Sequence, residues 1–156
     1  MIKTFRGTLP ETDGSDQASI NKTVERIHLT GLNAGIGYKI KKLSIMPERP
    51  LTDSNEAMVK LHSNIPTSIN VNVDFDDSSL LAVAMYSNKD DTTYYPDDFV
   101  LIIDSERVVS QDMYLSYDNP ATTGRIINYM LELEQIKLTG PQEAVLNFNQ
   151  TIENTS

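Results

Sequence analysis

The residues able to do chemistry are few and scattered. His28 and His62 are the only histidines. They stand far apart, with no His-x-His or His-Glu-x-x-His run, whereas a histidine-bound metal site in a β-rich chain needs a clustered pair. Both are expected to be ordinary strand or surface histidines. Cysteine is absent, which removes disulfides, thiolate metal sites, iron–sulfur clusters and cysteine nucleophiles together. A Ser-His-Asp arrangement is compatible with the composition, but no Gly-x-Ser-x-Gly elbow presents a serine. Glu132 and Glu134 share one face of a strand pattern, the placement a glycosidase carboxylate pair would need. A solvated outer face explains them more simply.

Carboxylates gather at Asp13-Gly14-Ser15-Asp16, at Asp74-Phe75-Asp76-Asp77, and at Asp90-Asp91 with Asp97-Asp98. Calcium takes roughly six to eight oxygens, and loops of this kind can supply them. None has EF-hand spacing, so solvated turns are the default and no metal or other cofactor is expected. Tyr94 and Tyr95 sit inside the acidic loop 87–98. Tyrosine at a loop tip suits an interface anchor or a sugar-stacking platform, and it also suits a ring folded back over the core. Asn21-Lys22-Thr23, Asn149-Gln150-Thr151 and Asn154-Thr155-Ser156 match glycosylation sequons. The start, residues 1–9, reads as a strand and lacks a signal-peptide core, so these matches are expected to be fortuitous.

Net charge is −9, from 22 acidic and 13 basic residues. Nucleic-acid binding rests on a concentrated basic footprint, and this balance argues against it. It also disfavours anionic membranes, and no run of about eighteen apolar residues offers a spanning helix. Lys39, Lys41 and Lys42 form the one dense basic cluster. They read as a solvated strand face or as a contact with an acidic partner protein.

The elements that must position these groups are strands. In residues 128–138, Tyr129, Leu131 and Leu133 share one parity and Glu132 and Glu134 the other. Such alternation fits a half-buried strand, because successive side chains leave opposite faces. Further strands are expected at 2–9, 19–30 and 36–47. In the last of these Ile36, Tyr38 and Ile40 give way to Leu43 and Ile45, a parity switch that a bulge at Lys41-Lys42 would produce. Residues 51–63 combine an Asp53–Glu56 capping signal with period-2 alternation, and the strand reading is preferred. Ile69, Val71, Val73 and Phe75 predict another strand, and 80–86 predicts a central strand buried on both faces. Residues 99–103 predict a strand that Asp104-Ser105-Glu106 joins as a hairpin to 107–117. Thr139-Gly140-Pro141-Gln142 predicts a helix over about 140–148.

At 156 residues the chain is expected to form a single domain, residues 1–156, with flexible termini. The fold expected is all-β: an antiparallel β-sandwich or jelly roll of about eight strands with one short C-terminal helix.

Three segments carry a family likeness: residues 105–117, the strand 124–134, and the continuation 138–146, with a weaker echo in 37–47. Together they resemble small virion structural proteins of marine tailed bacteriophages, of the capsid decoration or cement type. The resemblance implies a non-enzymatic protein made in the host cytoplasm and added in many copies to the capsid surface. Its implied partners are the phage major capsid protein and neighbouring copies of itself. No binding residue transfers position by position. The candidate contacts are therefore Tyr94, Tyr95, Lys39, Lys41 and Lys42, chosen from chemistry. The alternative is a carbohydrate-binding or receptor-binding sandwich of a tail or fibre, with the tyrosines stacking on sugar and a carboxylate loop holding calcium. An enzyme ranks third.

Overall fold

A computed structural model describes residues 1–10, 22–29, 35–50, 55–88, 97–120, 125–142 and 144–146, with Asp97 and Asp98 described by backbone alone. The strands are β1 (Ile2–Leu9), β2 (Lys22–Ile27), β3 (Ile36–Pro47), β4 (Asn55–His62), β5 (Leu80–Asn88), β6 (Asp97–Ile102), β7 (Met113–Asp118) and β8 (Ile127–Lys137). They form an antiparallel sandwich of two sheets, ordered β1-β8-β3 and β2-β7-β4-β5-β6. β1 pairs with β8, β2 with β7 and β4 with β5. That nesting is the winding of a jelly roll. The sixth strand breaks it, because β6 pairs with β5 and leaves β3 without a full neighbour on its second edge among the described residues.

The alternation in β8 does what its parity requires. Ile127, Tyr129, Leu131 and Leu133 are buried and face the second sheet, while Glu132 and Glu134 lie on the outer side. In β3 the pairing with β8 shifts between Ile40 and Lys42, so Lys41 is the extra residue. The shift lets Ile40 face Leu133 and Leu43 face Leu131. Without it Leu43 and Ile45 would point to solvent. The second sheet supplies Ala57, Val59, Leu61, Ala82, Ala84, Tyr86, Met113, Leu115 and Tyr117 to the same core. β5 is buried along most of its length, as its apolar run predicts.

Three expectations are corrected. Residues 69–75 are not a strand. Asn70, Asp74 and Asp77 each accept the backbone N–H two residues on, at 2.9 Å, and these Asx turns compete with a ladder. Val71, Val73 and Phe75 are left exposed. The second correction concerns Asp104-Ser105-Glu106, which does not close a hairpin. The chain leaves β6 at the sheet edge, crosses to the other sheet and returns as β7 between β2 and β4. During the crossing Val109 exchanges backbone hydrogen bonds with Tyr38, at 2.8 and 2.9 Å. Third, the strand expected over 107–117 therefore begins only at Met113.

The C-terminal helix forms over 140–146, with residue 143 and those beyond 146 outside the described set. Its start is a reciprocal capping box: Gln142 N–H donates to Thr139 Oγ1, and Thr139 N–H donates to Gln142 Oε1.

Gly37 is where the crossing meets β3. A Cβ there would clash with Val108 Cγ1 and lie 3.1 Å from Leu138 Cδ1. Valine is stiff at χ1 and cannot swing away cheaply. Gly37→Ala is therefore expected to cost about 1–3 kcal/mol, the usual penalty for overpacking. Urea unfolding measures it. Val108→Ala in the same chain should recover most of the loss, and no recovery would assign the cost to something other than this contact.

Candidate functional site

The outer face of the five-stranded sheet carries an unusual row of side chains. β4 sends Ala57, Val59 and Leu61 inward, so Met58, Lys60 and His62 leave by the other face. β7 likewise sends Ser116 and Asp118 outward. Lys60 pairs in register with Ser116, and Met58 with Asp118. All five are buried, with His62 4% and Ser116 1% exposed. Met58 joins Leu80 and Val83 in a small apolar cluster of its own on this face.

The segment 63–79 is what covers the row. It is strapped down by two ammonium groups: Lys60 Nζ donates to Asn72 O at 2.8 Å and Lys22 Nζ to Ile69 O at 3.3 Å. Lys60 also reaches Asn70 Oδ1 at 3.4 Å. Between strap and sheet lies a polar cleft of about 430 Å³ lined by Lys60, His62, Asn64, Asn72, Asp74 and Asp77 among others. Ligand pockets usually span about 300–1,000 Å³. A hollow of similar size beside Ile45, Met46 and Tyr129 on the other sheet has a largely apolar lining, which gives a ligand little to orient it.

Burial governs the charges here. Desolvation lowers the Lys60 pKa, against the pull of Asp77 and Asp118. Burial, and after it the Lys60 charge, push His62 from 6.5 down to about 4. Its Nε2 lies 3.2 Å from Ser116 Oγ, and its Nδ1 is buried without a partner among the described residues. A neutral imidazole beside a hydroxyl is the start of a nucleophile–base pair. Among the described residues no third group orients the ring, and Ser116 sits sealed inside a strand. Asn64 lines the same cleft, is 7% exposed, and neither of its amide atoms has a hydrogen-bond partner among the described residues.

The His62 environment predicts a pH response. At pH 7 and above the ring is neutral in both folded and unfolded chains, and its contribution to stability is full. As pH falls through about 6.5 the unfolded ring takes a proton that the folded ring refuses, so stability declines until about pH 4. The loss is on the order of 3 kcal/mol. Unfolding measured from pH 7 to 4 should show it, and His62→Gln should remove that share of the slope. A folded-state imidazole titrating near 6.5 by NMR would contradict the burial.

The sequence-derived contacts lie elsewhere. Tyr94 and Tyr95 fall outside the described residues, as do Asp13, Asp16, Asp90 and Asp91. Lys39 pairs with Glu106 at 2.7 Å, and Lys41 with Glu134 at 2.9 Å. These partners hold the Glu106 and Glu134 carboxyls below their usual range and raise the Lys41 pKa. Lys42 is exposed beside them on β3. The three lysines thus share one stretch of strand, two of them engaged within the chain. His28 is exposed at the end of β2 and takes no part in the cleft. Asp74, Asp76 and Asp77 serve the strap's turns, and no group of three or more metal-ligating side chains forms among the described residues. No described helix is long and apolar enough to cross a membrane.

Sequence reasoning passed over Lys60, His62 and Asn64 as a site. The signal available was two ionisable residues at one parity of an otherwise apolar strand, followed by Asn64, Asn70 and Asn72. Comparison of the chain with family models, with curated proteins and with solved structures finds no match.

Proposed function

We propose that this chain is a non-enzymatic virion structural protein of a tailed bacteriophage. In this reading it decorates or cements the capsid, docking on the major capsid protein and on neighbouring copies of itself. It is made in the host cytoplasm and acts at the capsid surface. The observation that carries the reading is the character of the β6 edge. Phe99 is 53% exposed, and Val100, Ile103 and the neighbouring Met85 are 40%, 37% and 40% exposed. Phe99 and Met85 pair on the outer face of this edge strand, which has one pairing partner among the described residues, while Val100 lies opposite Ala84 on the other face. Large apolar side chains clustered on such an edge suit a protein partner.

Of the other edge strands, β1, β2 and β3, the last behaves differently. β3 carries the Lys41 bulge and three lysines, the features that guard an edge against indiscriminate pairing. Docking is assigned to β6 on its exposed apolar side chains, with the lysines of β3 left to steer an acidic surface. The resemblance of residues 105–117, 124–134 and 138–146 to decoration proteins supports the same reading. A shell presents many equivalent sites, so even weak docking favours the assembled state by mass action.

Quantitative composition of purified virions tests this. Many copies per particle are expected, located on the outside of the shell by imaging. Absence from the particle, or presence in a few copies only, would move the protein to a connector, a fibre or a role outside the virion.

A further inference from the structure

The cleft beneath the 63–79 strap has no part in the docking just proposed, and its chemistry points to a ligand. We infer that it is a binding site for an uncharged, hydroxyl-rich small molecule of the saccharide class, held by Lys60, His62, Asn64 and Asp77.

Charge selects the class. Lys60 and the carboxylates of Asp74 and Asp77 line one cleft. An anion drawn to Lys60 would face both aspartates, and a cation drawn to the aspartates would face a buried ammonium. An uncharged ligand carrying both donors and acceptors avoids both conflicts. A hydroxyl donates and accepts at once, so a row of hydroxyls can satisfy an ammonium, an amide and a carboxylate in turn.

The unmet hydrogen-bonding capacity is of the matching kind. Asn64 offers one acceptor and two donors, none of them used, and His62 Nδ1 is likewise without a partner. Buried groups of this sort are nearly always hydrogen-bonded, and leaving one unmade costs about 1–3 kcal/mol. The amide atoms of Asn64 are shielded from solvent, so a ligand engages them as the strap gives locally. Asx turns, lysine contacts and a backbone bond from Ser63 N–H to Ser79 O hold the strap, with no ladder along it. At about 430 Å³ the cleft suits a mono- or disaccharide. Ile65 and Pro66 at its mouth provide apolar surface for the C–H face of a sugar ring.

A peptide is the other molecule rich in both donors and acceptors, and the sheet argues against it. The floor strands β4 and β7 are internal, with backbone groups already paired on both sides. An extended chain would find no edge to join.

The experiment is a titration of the full chain with neutral mono- and disaccharides, followed by two-dimensional NMR of the Asn64 side-chain amide and the His62 ring. Phosphate, spermidine and a neutral tetrapeptide serve as comparators. At least one saccharide should shift both resonances saturably, and Asn64→Ala should weaken that binding at least about tenfold. The same variant should be as stable as the parent without ligand, because the amide it removes has no partner to lose. A purely structural asparagine would instead destabilise on truncation. Lys60→Met provides a second variant, with the same tenfold loss expected. Saturable binding by phosphate, spermidine or peptide with none by saccharides would overturn the ligand class. No binding by any probe, or binding untouched by Asn64→Ala, would overturn the site and leave the cleft to ordered water. Neither result bears on copies per virion, so this inference and the docking proposal fail separately.

Discussion

Leu131→Ala should lower the unfolding free energy by about 2–5 kcal/mol, the range for a fully buried leucine. Leu131 is 0% exposed. It occupies the middle strand of its sheet, with Phe5 opposite on β1 and Leu43 opposite on β3. Its outer end meets the core that the five-stranded sheet supplies. Truncation there removes apolar contacts in three directions, and ladders on both sides keep the backbone from collapsing into the space. For a chain of this size each kcal/mol shifts the melting temperature by about 2–4 °C. Thermal and urea unfolding would both read the loss. Leu133→Ala should behave alike, since Leu133 is also 0% exposed and pairs with Ile40. Glu132→Ala, one residue away on the outer face, should stay within about 0.5 kcal/mol. A leucine effect of that small size would place the alternation the wrong way round.

That contrast explains why so much of the fold could be read from the chain. Parity is local, and Tyr129-Leu131-Leu133 states it without reference to any partner. The bulge at Lys41 was legible for the same reason, since Ile40 and Leu43 belong to opposite parities. Thr139 and Gln142 announced the helix start because a capping box lies within one turn. The failure at 69–75 comes from the same grammar. Asn70, Asn72, Asp74 and Asp76 alternate with Ile69, Val71, Val73 and Phe75. Two of those polar residues, Asn70 and Asp74, capture the backbone N–H two residues on, so one pattern describes a strand and a pair of Asx turns equally well. Strand order was not legible at all. Whether β6 joins β5 or lies beside β3 depends on the path of the crossing at 103–112, which periodicity does not encode. The cleft was hidden for that reason too: His62 meets Ser116 only through the register of β4 on β7.

Phe99→Asp should weaken docking on the capsid by about thirtyfold or more while leaving the fold intact. Phe99 pairs with Met85 across β5 and β6, and about half of the Phe99 side chain stands in solvent. A charge there is harmless to the isolated chain, because nothing covers enough of the ring for its loss to open a cavity. Surface changes of this kind usually move stability by no more than about 0.5 kcal/mol. In a docked complex the balance reverses. An aromatic anchor at the centre of an interface contributes about 2 kcal/mol or more, and a buried carboxylate without a partner adds to the loss. Two kcal/mol is about thirtyfold in affinity. Lys42→Glu on β3 should instead alter the association rate and its salt dependence, because an exposed charge steers more than it anchors. The measurement is binding of purified protein to particles stripped of it, read as copies bound against concentration. Undiminished binding by Phe99→Asp would remove β6 from the interface. Loss with Lys42→Glu alone would transfer docking to the lysine face of β3, and the three-stranded sheet would then be the side that meets the shell.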